Sequence, residues 1–182
     1  GNSSVYSPGL VARRKAEWLL FKTGYYDRID EFYEDGGNIV NAAAIVHDFI
    51  SSNGYHYSLG DGLPGTVNDV KNARAVCCAT FVSWTLYEAG YDWMVDCTGI
   101  NSCATLLPFL EAHGGTKIMN PTMDMLQPGD ILFYGSGGSS HTDIYIGDGL
   151  WYNCGSNDTV QRKDPYSKAI RADVYCVIRF DS

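Results

Sequence analysis

Apolar residues recur between Val76 and Gly90 with the period of an α-helix. Cys78, Phe81, Val82, Thr85, Leu86 and Ala89 fall at i, i+3, i+4, i+7, i+8 and i+11. Gly90 stands where a C-terminal cap is expected. A second periodic run places Ile39, Ala43, Val46 and Ile50 on one face of a helix that Asn38 can cap and Gly54 can end. Ser7-Pro8 opens a third helix, Leu10 to Lys22, with Gly24 as its stop. Residues 61–72, rich in Gly, Asp and Asn, read as a surface loop. Past residue 125 the period changes. Leu126-Gln127-Pro128-Gly129-Asp130 is a Pro-Gly turn, Ile131 to Tyr134 a short buried strand, and Gly135 to Ser140 a flexible loop. His141 to Ile146 then alternates, with His141, Asp143 and Tyr145 on one face. The chain turns at Gly147-Asp148-Gly149 and returns through Leu150 to Cys154, Trp151 and Asn153 sharing a face. Helices followed by antiparallel strands make an α+β fold, divided into an N-terminal helical extension, residues 1–37, and one domain, residues 38–182.

The patterning also places reactive groups. Cys78 lies in the first turn of its helix, where the positive end of the macrodipole favours the thiolate that attacks carbonyls. Cys77 is turned about 100° away from the apolar stripe. A cysteine on such a stripe is most often plain packing, so the helix alone does not establish catalysis. The strands add a histidine and an amide. In a three-residue turn, Ile146 to Asp148, Asp143 pairs with Trp151 and His141 with Asn153. A two-residue Asp148-Gly149 turn, for which Asp-Gly is a strong signal, pairs Gly147 with Leu150 and leaves Asn153 on the face away from His141. The first register permits a nucleophile, base and orienting group from Cys78, His141 and Asn153.

These residues carry a family resemblance. Cys78-Ala79-Thr80-Phe81-Val82, the block Leu126 to Phe133, and His141-Thr142-Asp143-Ile144-Tyr145-Ile146-Gly147-Asp148-Gly149 resemble, in order and spacing, the three signature blocks of the NlpC-type (NlpC/p60) cell-wall cysteine peptidases. The resemblance covers about residues 50–180. It implies a papain-like fold, a nucleophile helix packed on an antiparallel sheet, with Asn153 as the third polar residue. It further implies an aromatic segment upstream, of which Gly54-Tyr55-His56-Tyr57-Ser58-Leu59-Gly60 is a degraded version. Tyr55 matches the tyrosine whose hydroxyl points into the active site, and Tyr57 takes the tryptophan position. Gly137 and Gly138, in the loop before His141, are expected to border the substrate. Two departures stand out. The aspartate before the nucleophile is Cys77 and the serine after it is Ala79; in members that bind stem peptides by a free N-terminal L-alanine, those side chains help hold the amine.

The implied activity is hydrolysis of peptidoglycan amides through an acyl-enzyme, without cofactor or metal. The bond is the γ-D-glutamyl to diamino-acid link of the stem peptide, or the muramoyl to L-alanine amide cut by the CHAP group. An acyltransferase or transglutaminase-like enzyme on the same residues and a non-catalytic wall-binding module are the other readings. A net charge of −8 and a pI near 4.8 leave no basic stripe for nucleic acid, and the cluster Arg13-Arg14-Lys15 reads as a solvated helix face. No apolar run is long enough to span a membrane. The 13 tyrosines suit a cleft for sugar or peptide, and equally half-buried strands. A monomer, extracellular or in the cell wall, is expected, its export signal removed or the domain cut from a larger secreted or phage-encoded protein. Of six cysteines, Cys97 and Cys103 could close a small disulfide or remain thiols, while Cys154 and Cys176 fall in strands. His47, His56 and His113 lack metal-ligand spacing, and His113 reads as a helix C-terminal residue.

Overall fold

The computed structural model describes residues 37–60, 62–155, 162–164 and 171–180. The expected Leu10–Lys22 helix lies outside them. Among the described residues, helix α1 (Gly37–Ser52) is followed by β1 (His56–Tyr57), β2 (Ala75–Val76), α2 (Cys78–Glu88) and α3 (Cys103–Ala112). Strands β3 (Thr116–Met119), β4 (Ile131–Tyr134), β5 (His141–Gly147), β6 (Leu150–Asn153), β7 (Arg162–Asp164) and β8 (Val174–Arg179) complete the fold. They form one antiparallel sheet in the order β3-β8-β4-β5-β6-β7, while β1 and β2 pair in parallel. The α+β class, with the helix of Cys78 packed on an antiparallel sheet, is as the sequence implies.

Helix α2 is the centre of the packing. It lies between α1 and strand β5, so it is buried on nearly every side rather than along one stripe. Phe81, Val82, Thr85 and Leu86 are inaccessible, but so are Ala79, Thr80 and Ser83, off the stripe. From α1, Ile39, Ala43, Val46 and Ile50 enter the same core. The sheet lends Ile131, Phe133, Ile144, Cys176 and Ile178 to that core, and its other face holds Leu132, Tyr134, Tyr145, Trp151 and Val177. Gly90, at φ +98°, ends α2: its N–H and that of Tyr91 donate to the carbonyls of Tyr87 and Leu86.

The Pro-Gly turn is pinned from within. Asp130 is 1% exposed; its carboxylate accepts from the Gln127 N–H at 2.8 Å and from Nε and Nη2 of Arg179, each at 2.8 Å. A planar guanidinium matches two carboxylate oxygens, which makes such a pair short and directional. It ties β4 to β8.

Within the expected 61–72 surface loop, the described residues 62–72 are partly folded down. Val67–Asp69 and Val70–Ala73 form short helical turns, and Val67 and Val70 are buried in the main core. Two valines among the polar residues suffice to fold the segment down. The Gly135–Ser140 loop is likewise built rather than open. The Gly138 N–H donates back to the Gly135 carbonyl, the Gly135 N–H donates to the Asp173 carbonyl, and the Ser140 hydroxyl donates to the Tyr134 carbonyl.

Candidate active site

Strand β2 runs directly into the site. Cys77 leaves it in extended conformation, at φ −128°, and Cys78 begins α2. The Cys77 thiol is buried and held in place. Its sulfur lies 3.3 Å from the Thr80 hydroxyl and donates to the Asn101 carbonyl at 3.5 Å. Its bond to the Cys78 thiol, with burial, pushes its pKa well above the ordinary thiol range, against the opposing pull of Thr80. A thiol so held is a poor nucleophile.

His141 opens β5, so its ring lies at the end of a strand. One ring nitrogen, Nε2, is 2.7 Å from Oδ1 of Asp143, two residues along the same strand. The contact is close but out of line, a charged pair rather than a linear hydrogen bond. The Cys78 thiol is also a hydrogen-bond partner of His141. Burial disfavours the imidazolium, yet the bonds to Asp143 and Cys78 and their charges outweigh it and raise the pKa to about 10. His141 is therefore charged at neutral pH. Asp143 is in turn backed by Tyr134, whose ring is 5.7 Å from that of His141 and whose hydroxyl bonds the carboxylate. Burial first, and then Asp143, keep that hydroxyl protonated.

Asn153 is placed by a register that neither expected hairpin describes. Gly147 pairs with Leu150 across a two-residue Asp148-Gly149 turn, both residues having positive φ, 53° and 68°. This is the turn that Asp-Gly favours. A bulge between Tyr145 and Gly147 then absorbs one residue, so Tyr145 pairs with Trp151, Ile144 with Tyr152 and Asp143 with Asn153. The expected His141–Asn153 and Asp143–Trp151 pairs are corrected to this register. The extra residue restores the parity that the short turn alone would invert. Asn153 thus shares the face of His141 but stands opposite Asp143. Its buried Oδ1 has no hydrogen-bond partner, and both it and His141 Cε1 border Gly155, within 3.7 Å and 3.6 Å of where a Cβ would stand.

Of the two upstream tyrosines, only Tyr57 stands beside Cys78. Tyr55 is 5% exposed, packs beside Phe49 and Trp84, and donates its hydroxyl to the Val70 carbonyl at 3.2 Å. It is not brought to the site. Parallel pairing sets Tyr57 level with Val76, two residues before Cys78. Its hydroxyl is held up to about 12 by burial, and then by the thiols of Cys78, Cys154, Cys77 and Cys103 around it. Gly138, at φ +73°, is buried against Leu107, Phe133 and Tyr175, where a Cβ would come within 2.8 Å of Leu107. Gly137, at φ +64°, meets open space.

Two neighbours of the site were not singled out from sequence. Asp143 had a signal, since alternation places it on the face of His141. Cys103 had none, because it arrives from the start of another helix, its sulfur 3.8 Å from that of Cys78. Cys97 and Cys103 remain thiols, the second of the two readings their spacing allowed, and Cys97 is buried and raised to about 11 by that burial. His113 caps α3 as expected, its Nδ1 2.8 Å from the Phe109 carbonyl.

Known proteins bear on this geometry. No protein-family model matches the chain. Over 119 residues, 65% of the chain, it is 30% identical to a Mycobacterium tuberculosis protein named Probable endopeptidase Rv2190c, and equally to the Mycobacterium bovis protein named Probable endopeptidase Mb2213c. The match spans a quarter of the length of those relatives. Among solved structures, the Resuscitation Promoting Factor Interacting protein RipA, mutated at a histidine, superposes with a TM-score of 0.50 at 18% identity, over 99% of this chain and 88% of that one. RipD of Mycobacterium tuberculosis, described as a non-catalytic NlpC/p60 domain protein adapted to peptidoglycan binding, gives a TM-score of 0.48 at 18% identity, over 78% of this chain and 96% of that one. The chain shares the papain-like fold of RipA.

Proposed function

We propose that this NlpC/p60-fold domain is a cysteine hydrolase of peptidoglycan amide bonds, with Cys78 as nucleophile and His141 as its base and acid. The observation that carries the reading is the cluster Cys78–His141–Asp143, in which one imidazole is partner to both a thiol and a carboxylate. That is the constellation of nucleophilic catalysis. Its imidazolium form, favoured to about pH 10, pairs with a Cys78 thiolate. The thiolate attacks the amide carbonyl, His141 gives its proton to the departing amine, and water then hydrolyses the thioester with His141 as base. Backbone N–H groups at the start of α2 have no partners within the helix and suit the developing oxyanion.

Asp143 is the nearer orienting group. Asn153, opposite it and with a free buried oxygen, is the further polar residue of the reading, and Tyr57 is the aromatic beside the thiol. The favoured bond is the γ-D-glutamyl to diamino-acid link of the stem peptide, which agrees with the name endopeptidase carried by the mycobacterial relatives. Cys77 and Ala79 are uncharged and buried, which argues against recognition of a free L-alanine amine. Peptidoglycan places the domain outside the cell or in its wall. Among the described residues, no helix is long and apolar enough to cross a membrane.

Purified peptidoglycan digested with the protein, with fragments identified by mass spectrometry, tests the reading. Endopeptidase action exposes γ-D-glutamyl carboxylates and diamino-acid amines. New N-terminal L-alanine would reassign the protein as a muramoyl amidase. Binding to the wall with no fragment released would overturn hydrolysis altogether.

A further inference from the structure

The mechanism uses one thiol, yet two face each other in the site. Cys78 and Cys103 are 6% and 5% exposed, and their sulfurs are 3.8 Å apart, in van der Waals contact. Each is the first residue of its helix, α2 and α3. A disulfide needs the sulfurs to close from 3.8 Å to about 2.05 Å. Both thiols are free. The competing neighbour, Cys77, also bonds the Cys78 thiol, but its sulfur is held by Thr80 and Asn101 as well, and that bond and burial keep it a protonated, poorly attacking thiol.

We propose that Cys103 is the resolving thiol of the nucleophile, so that oxidation of Cys78 is captured as a Cys78–Cys103 disulfide. The oxidant is a peroxide. The Cys78 thiolate attacks one peroxide oxygen, the O–O bond breaks, and the leaving hydroxide takes up a proton as water. Cys78 is left as a sulfenic acid. The Cys103 sulfur then attacks the Cys78 sulfur, the S–O bond breaks, and the Cys103 proton leaves with the hydroxyl as a second water. Two thiols are oxidised and one peroxide is reduced. A dithiol reductant reverses the step by exchange. Without a nearby thiol the sulfenic acid proceeds to the sulfinic acid, which reductant does not reverse. The pair would therefore stop the site reversibly and shield it from permanent loss.

The test is hydrogen peroxide on the whole protein, followed by mass spectrometry without reduction. Trypsin leaves Cys77, Cys78, Cys97 and Cys103 in one peptide, because the chain from Ala75 to Thr116 lacks Lys and Arg. A second cleavage at Glu88 separates the two pairs. Wild type should lose the mass of two hydrogens, show a link between the Cys78 and Cys103 fragments, and recover Cys78 alkylation after reductant. Cys103→Ser, and Cys103→Ala should the first fold poorly, should instead gain two oxygens on Cys78 and lose alkylation for good. A link from Cys78 to Cys77, or equal sulfinic acid in wild type and variants, would overturn the proposal. The proposal rests on Cys78 as the reactive thiol, and its failure is separable from that of the hydrolase reading. A reversible link in protein that releases nothing from peptidoglycan keeps the pair and removes the hydrolase; wall hydrolysis that peroxide abolishes and reductant does not restore does the opposite.

Discussion

Replacing Asp143 by asparagine should lower the pH at which His141 gives up its proton. In wild type that pH is about 10, against 6.5 for an ordinary histidine, because the bonds to Asp143 and Cys78 outweigh a burial that opposes the charge. Breaking a buried ion pair costs on the order of 3 kcal/mol, and about 1.4 kcal/mol moves a titration by one pH unit. The variant should therefore titrate roughly two pH units lower, near pH 8. Since the folded value is raised, the stability His141 contributes is complete below about pH 6.5 and fades as the pH climbs through about 10. In the variant it should fade earlier. The alkaline limb of hydrolysis should follow, leaving Asp143→Asn active at pH 7 and about tenfold down by pH 9. The assay is NMR titration of histidines labelled at Cε1, with His141 assigned by the His141→Ala variant. A His141 that titrates near 6.5 in wild type, or identically in both proteins, would refute the reasoning.

Other outcomes follow from the same geometry. Pulse alkylation at pH 6 should label Cys78 ahead of the other five cysteines, and preferential labelling of Cys77 would reverse the assignment of nucleophile. Asn153→Ala should retain measurable hydrolysis where His141→Ala loses it, because a group that positions the base transfers no proton itself; equal loss in the two variants would give Asn153 a larger part. Arg179→Ala strips Asp130 of its fork and should cost about 3 kcal/mol in urea unfolding, whereas an unchanged midpoint would show the pair to be dispensable. Intact wall should be cut at least as well as free L-Ala-γ-D-Glu-diamino-acid tripeptide, and a marked preference for the tripeptide would show that residues other than Cys77 and Ala79 hold the amine.

The fold was legible wherever one period ran long enough. The stripe of Cys78, Phe81, Val82, Thr85, Leu86 and Ala89, and that of Ile39, Ala43, Val46 and Ile50, both correspond to buried helix faces. The burial of α2 on its other sides was not, since Thr80 and Ser83 look like solvent-facing residues until α1 and the sheet close over them. The hairpin shows the limit of local rules. Asp148-Gly149 does dictate the two-residue turn, but the bulge at Ile146 that returns Asn153 to the face of His141 has no obligatory residue type. Tyr55 and Tyr57 were separable only by a parallel pairing with residues 75–76, a contact between segments that no motif encodes. Cys103 reached the site for the same reason, through the docking of α3 against α2.

The central claim is that Cys78, activated by His141, opens amide bonds of peptidoglycan. Its most direct test is the release of new amino groups from purified peptidoglycan by wild type and by Cys78→Ser, with matched circular dichroism showing that both are folded. The account predicts steady release by wild type and none above the blank by the variant. Release by Cys78→Ser at the wild-type rate would contradict it.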